Sequence, residues 1–232
     1  MFYYNPTYLL FMAPAFLLML LTSWYVKAAY SKWSRVPSRS RITGAEAAQR
    51  LISRGGLYGV TIERIGGQLS DHYDPRSRTL RLSQGVADSP SVAAVAVAAH
   101  ELGHALQDAE EYLPLRFRSA LVPAVNIGSW LGWLLIMIGL FLNWVNIAWL
   151  GVLVFSAGAL FALATLPVEF NASARAKRLL AETGIIQTEE ERRGVNNVLN
   201  AAALTYVASL VTALLQLLYY ASLVGGLGRR RD

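Results

Sequence analysis

Four apolar stretches, each long enough to cross a bilayer, constrain the fold of this chain more than any other feature. A spanning helix needs about 20 apolar residues, and residues 8–26, 121–142, 147–166 and 203–224 reach that length. The first stretch has no basic residue before it and no small-residue cleavage site after it. It therefore reads as a retained anchor and not as a signal peptide, with Pro14 expected to bend it. Only Asn143-Trp144-Val145-Asn146 separates the second stretch from the third. That spacing predicts a tight helical hairpin with Trp144 and Trp149 at the interface. Gly132, Gly139, Gly151, Ser156 and Gly158 suit close packing between such helices. Composition agrees: 54% of the 232 residues are hydrophobic and 16% are charged, against about 25% charged in soluble domains.

The division that follows is an N-terminal transmembrane helix (1–26), a polar domain (27–120), a transmembrane hairpin (121–166), a polar segment (167–202) and a last helix with a basic tail (203–232). The two polar segments hold 18 of the 21 Lys and Arg residues. Basic loops stay on the cytoplasmic side, so both segments are expected there, in a multi-pass protein of a cell membrane. Arg229-Arg230-Arg231 disagrees with that orientation, and reads as an interfacial anchor. The net charge of +6 comes with no nucleic-acid-binding signature, so the excess is assigned to anionic lipid and not to nucleic acid.

Within the first polar segment, Thr43 and Glu46 form a capping box that opens a helix, and Gly55-Gly56 ends it. Three short strands are predicted over 60–65, 68–72 and 79–83. Ser89 and Pro90 then suit the start of a second helix running to about Asp108. The fold class is thus a mainly α membrane protein of about four transmembrane helices, with a small α+β domain carrying a short sheet.

That second helix carries His100-Glu101-Leu102-Gly103-His104. Positions i and i+4 of a helix share a face, so both histidines can reach one metal ion, with Glu101 beside it to act on a bound water. The chain has no cysteine, so zinc here is held by nitrogen and oxygen alone. A hydrolytic zinc site takes three protein ligands and keeps one position open. His72 and Glu169 are the candidates for the third. A carboxylate next to a bilayer boundary is costly unless paired or liganded, which favours Glu169 and leaves His72 a structural or substrate-facing role. Tyr73 is a candidate donor to the transition state. Arg175 is a candidate for the same task or for pairing with Glu169. The short strands offer an edge to which an extended polypeptide could add.

Four segments carry a family resemblance: Leu69-Ser-Asp-His-Tyr-Asp-Pro75, Leu80-Arg-Leu-Ser83, Ala99-His-Glu-Leu-Gly-His-Ala-Leu-Gln107 and Pro167-Val-Glu-Phe-Asn-Ala-Ser-Ala-Arg-Ala176. In these the chain resembles the bacterial YugP-like membrane zinc metallopeptidases over nearly its whole length. More distantly it is similar to the HtpX and CAAX prenyl protease superfamily of gluzincins, over the strand–helix block and the Glu169 segment. The resemblance implies a zincin-like domain, a single Zn2+ on His100, His104 and Glu169, and a membrane or membrane-associated polypeptide as substrate. A second copy or a membrane adaptor is compatible with it. The wider superfamily reads Glu-x-x-x-Asp where this chain has Glu169 and Ser173, and that aspartate supports a ligand histidine. Ser173, Asn171 or another carboxylate is expected to take its place. Two other classes fit the residues less well. A silent scaffold holding structural zinc has no use for Glu101. A transporter would place ionisable residues in the spans, and 121–166 has none.

Overall fold

The computed structural model describes residues 6–228; the triple arginine tail lies outside them. Two compact units are built from interleaved segments, one from 1–22, 116–166 and 205–232, the other from 23–115 and 167–204.

The apolar unit draws on α1 (Pro6–Trp33), α5 (Leu113–Phe141), α6 (Val145–Phe155), α7 (Ala157–Glu182) and α8 (Glu189–Gly228). Four helical spans of this set are long and apolar enough to cross a membrane, with α6 and α7 together making the third. α1 runs unbroken through Pro14. Gly132, Gly139 and Gly151 sit where a β-carbon would strike the backbone of Phe155, Ala148 and Ile136, so α5 and α6 meet at near backbone contact. Gly158 has ordinary space around it, and the Ser156 hydroxyl donates to the Leu153 carbonyl. Ile136, Ala148, Val152 and Val224 form the buried centre of this unit. Leu10, Trp130, Phe141 and Leu153 stay exposed, as lipid-facing side chains do.

The helices outrun the apolar stretches that mark them. α1 continues to Trp33, α5 already starts at Leu113, α7 passes through Pro167, and α8 opens at Glu189. Hydropathy registers only the part of a helix that suits lipid, whereas the backbone hydrogen bonds carry on into polar sequence.

In the polar unit, α2 (Gly44–Arg54) starts as its sequence predicts. Thr43 accepts from the Glu46 amide, Glu46 accepts from the Thr43 amide, and Gly55 closes the helix. The sheet has β1 (Thr61–Ile65), β2 (His72–Asp74) and β3 (Thr79–Ser83) in the order β1-β3-β2, with β1 parallel and β2 antiparallel to β3. The middle strand therefore lies at 72–74 and not at 68–72. Leu69 adopts a positive φ of 54° and the Ser70 hydroxyl bonds back to the Gly66 carbonyl, so the turn after β1 extends through that segment. Arg81, at the centre of the sheet, pairs with Asp74 on one neighbour (2.7 Å) and Glu63 on the other (3.0 Å). Arg81, helped by Ser77 and the Arg76 amide, holds the Asp74 carboxyl down to about 2.

After the short α3 (Gln84–Ala87) comes α4 (Val92–Ala109). Its N-cap is Ser91, whose Oγ accepts from the Ala94 amide, and not Ser89. Residues 89–91 are instead held extended, with the Pro90 carbonyl accepting from the Ser38 amide and Ser91 bridged to Pro37. Small side chains let α4 run through the middle of the core: Val92, Ala93, Ala94, Val95, Ala96, Ala98 and Ala99 are fully buried. Leu51, Leu80, Leu82, Leu180 and Leu199 pack around it, together with its own Leu102.

Candidate metal centre

Two helices of the polar unit build the site. α4 brings His100 and His104 to one face, and their rings meet edge to face at 4.9 Å. α7 presents Val168, Ala172 and Ala176, all fully buried, to the core. Glu169 and Ser173 lie one residue further along on the adjoining strip. At Gly103 the two backbones touch, and a β-carbon there would meet the Ala172 carbonyl.

That approach sets Glu169 Oε2 3.3 Å from His100 Nε2 and 3.4 Å from His104 Nε2. All three potential ligand atoms lie within 4.8 Å of one another, and Glu169 is 3% exposed. Atoms bound to one zinc at about 2.1 Å in tetrahedral array stand roughly 3.4 Å apart, so the spacing fits. The donor chemistry fits as well. Glu169 Oε2 is buried without a hydrogen-bond partner, although two ring nitrogens face it. With both imidazoles neutral, that oxygen and the two ring nitrogens direct lone pairs at one point, the arrangement a cation satisfies.

The ring nitrogens facing away have neutral partners. Ser173 Oγ lies 3.2 Å from His100 Nδ1, and Gln107 Oε1 lies 3.0 Å from His104 Nδ1. Ser173 thus stands where the resemblance leads one to expect an aspartate, in contact with the histidine. Gln107 was not foreseen. It is fully buried, and its signal was present in the sequence: an amide three residues after His104, on the same face of an alanine-rich helix. Asn171 does not touch a ligand histidine; it accepts from Gln107 Nε2 at 3.0 Å.

Burial raises the Glu101 carboxyl above its ordinary value; His100 and His104 oppose the rise, and Glu169 and Asp71 add to it. Burial works against charge on His104. The Glu169 carboxylate beside Nε2 and the fields of Glu101 and Glu169 outweigh it, and the imidazole ends above its ordinary value.

Three other candidates are placed elsewhere. His72 is exposed at the start of β2, with Nδ1 2.8 Å from the Ser70 carbonyl, and is not in the ligand cluster. The Tyr73 hydroxyl donates to Asp108 Oδ2 at 2.9 Å, and burial together with that bond raises its pKa. Arg175 pairs with Glu110 (2.7 Å) and not with Glu169, donates from Nε to Asn171 Oδ1 (2.6 Å), and lies over the Tyr112 ring. At 100° per residue, six positions turn Arg175 through 240° from Glu169, whereas four bring Ser173 back to within 40° of it.

Comparison with known proteins agrees with this chemistry. The family described as "Putative neutral zinc metallopeptidase" matches residues 8–225. A relative from Bacillus subtilis (strain 168), described as "Putative membrane protease YugP", is 47% identical over 195 residues, covering 84% of this chain and 86% of that protein. No solved structure matches the chain. A site of two histidines and a glutamate fit for zinc, in a chain with four apolar helices, thus meets a family match across nearly its full length: the chain belongs to this YugP-like family of zinc metallopeptidases.

Proposed function

We propose that the chain is a membrane-embedded zinc endopeptidase, cutting membrane or membrane-associated polypeptides at the cytoplasmic face. The observation that carries this reading is the convergence of His100, His104 and Glu169 on one point with Glu101 on the same helical turn. Zinc held there would lower the pKa of a bound water to about 7 and polarise the scissile carbonyl. Glu101 takes the proton of the attacking water on its carboxylate and passes it to the leaving amine. Its desolvated setting brings the carboxyl closer to the working pH, as a group that both accepts and returns a proton requires.

His100, His104 and Glu169 would be the ligands, with Ser173 and Gln107 orienting the imidazoles. The outer edge of β2, where His72 and Tyr73 lie, offers a substrate backbone a strand to pair with. The cytoplasmic orientation rests on the 18 basic residues of the two polar segments. A scaffold with structural zinc would gain nothing from a half-buried acid at position 101.

Glu101→Gln tests the reading. The purified variant should keep one zinc per chain and lose cleavage of a membrane polypeptide that the wild type cuts. Cleavage surviving in the variant sinks the assignment of the base, and a wild type without zinc sinks the site.

A further inference from the structure

We propose that Arg175 dictates which nitrogen of His104 faces the metal point, through an ordered chain of side-chain amides: Arg175 to Asn171 to Gln107 to His104. This rests on the metal-site reading above and assigns positioning roles to three residues that touch no substrate.

The argument is one of donor and acceptor polarity. A guanidinium can only donate. Arg175 Nε donates to Asn171 at 2.6 Å, so the Asn171 atom there is its oxygen. The Gln107 atom 3.0 Å from the same oxygen must then be the amide nitrogen. Its other proton goes to the Val168 carbonyl at 2.8 Å, an acceptor only, which locks the amide a second time. Gln107 Oε1 is therefore the atom that faces His104 Nδ1 at 3.0 Å. An amide oxygen cannot donate, so Nδ1 carries the hydrogen, and in the neutral imidazole Nε2 carries the lone pair. Nε2 is the atom 3.4 Å from Glu169 Oε2. Flipping Gln107 would set oxygen against two oxygens in a fully buried position and leave each of them unpaired.

The chain begins at a fixed cation: Arg175 is held by Glu110 at 2.7 Å and by the face of Tyr112. It also runs from α7 to α4, so the segment that supplies Glu169 orients a ligand on the other helix. His100 has no such control, because the Ser173 hydroxyl can rotate to donate or accept.

The test uses the full chain in detergent with 15N-labelled histidine; three histidines keep the imidazole spectrum readable. Zinc affinity is measured by chelator competition, and the His104 ring nitrogens are read in the zinc-loaded protein. Wild type should show a slowly exchanging Nδ1–H on His104 with Nε2 on the metal. Arg175→Met should speed exchange of that proton and weaken zinc binding about tenfold, the lower end of what outer-shell partners contribute. Asn171→Leu, which leaves the Arg175–Glu110 pair in place, should do the same even where Arg175→Met fails to fold. Asn171→Asp still accepts from both neighbours and should rescue both readouts. Zinc bound normally with an unchanged His104 signal in Arg175→Met and Asn171→Leu overturns the relay alone. Failure of Asn171→Asp to rescue does so too. A wild type that takes up no zinc overturns the metal-site reading and the relay with it.

Discussion

Gly103 on α4 lies against the backbone of Ala172 on α7 so closely that a β-carbon would run into the Ala172 carbonyl. The two residues are flanked by the ligands of the site, so the width of the gap between the helices decides whether His100 and His104 reach Glu169. Gly103→Ala should push the helices apart, lower the unfolding free energy by about 1–3 kcal/mol as overpacking does, and weaken zinc binding. Chelator competition and thermal unfolding of the metal-free protein read the two effects separately. An alanine variant with wild-type zinc affinity would show that the close approach is not what aligns the ligands.

Ser173 stands 3.2 Å from His100 Nδ1. Ser173→Ala removes that partner and should cost about tenfold in zinc affinity. Ser173→Asp supplies a charged acceptor in the same direction and should bind zinc at least as tightly as wild type. Isothermal titration of the metal-free chain checks both, and the order Asp, Ser, Ala is the outcome at stake.

Glu101 is held protonated more strongly in the folded chain than in the unfolded one, because burial raises its carboxyl. A carboxyl raised on folding costs stability at every pH above its folded value, and the cost fades as pH falls to its unfolded value. The metal-free Glu101→Gln variant should therefore melt at a higher temperature than metal-free wild type at pH 7. The two should converge near pH 4. A wild type that is the more stable at neutral pH would contradict this.

His104 shifts the opposite way with respect to charge. Its raised pKa means that the imidazolium stabilises the metal-free fold. That contribution is complete below the unfolded value and is lost as pH rises through the folded one. Zinc takes the place of that proton and gains affinity as the proton leaves. The melting-temperature gap between zinc-loaded and metal-free protein should widen from pH 6 to pH 8, and His104→Ala should abolish the widening.

Much of the site was legible because its chemistry follows helical spacing. Residues 100, 101 and 104 share a helical face by arithmetic, and Glu169 stood out as an acid next to an apolar run. Ser91, Gln107 and β2 were not legible in the same way. The start of α4 shifted from Ser89 to Ser91 because residues 36–38 pull the preceding residues into an extended bridge, a contact far off in sequence. Helical spacing puts Gln107 beside His104, but its other partners, Val168 and Asn171, are set only by the position of α7. β2 shifted because Leu69 takes a left-handed backbone conformation that a β-type side chain does not advertise. Arg175 lay beyond a nearest-acid argument: Glu110, its partner, comes 65 residues earlier.

The ligands are also separated in time. Translation delivers His104 well before Glu169, which comes 65 positions later. At about 5–20 residues per second, this interval lasts roughly 3–13 s. Until it ends, the nascent chain has two ring nitrogens and no carboxylate to complete the set. On the proposed function, the centre stays incomplete while the chain is being made, so cleavage can begin only after the Glu169 segment has been synthesised.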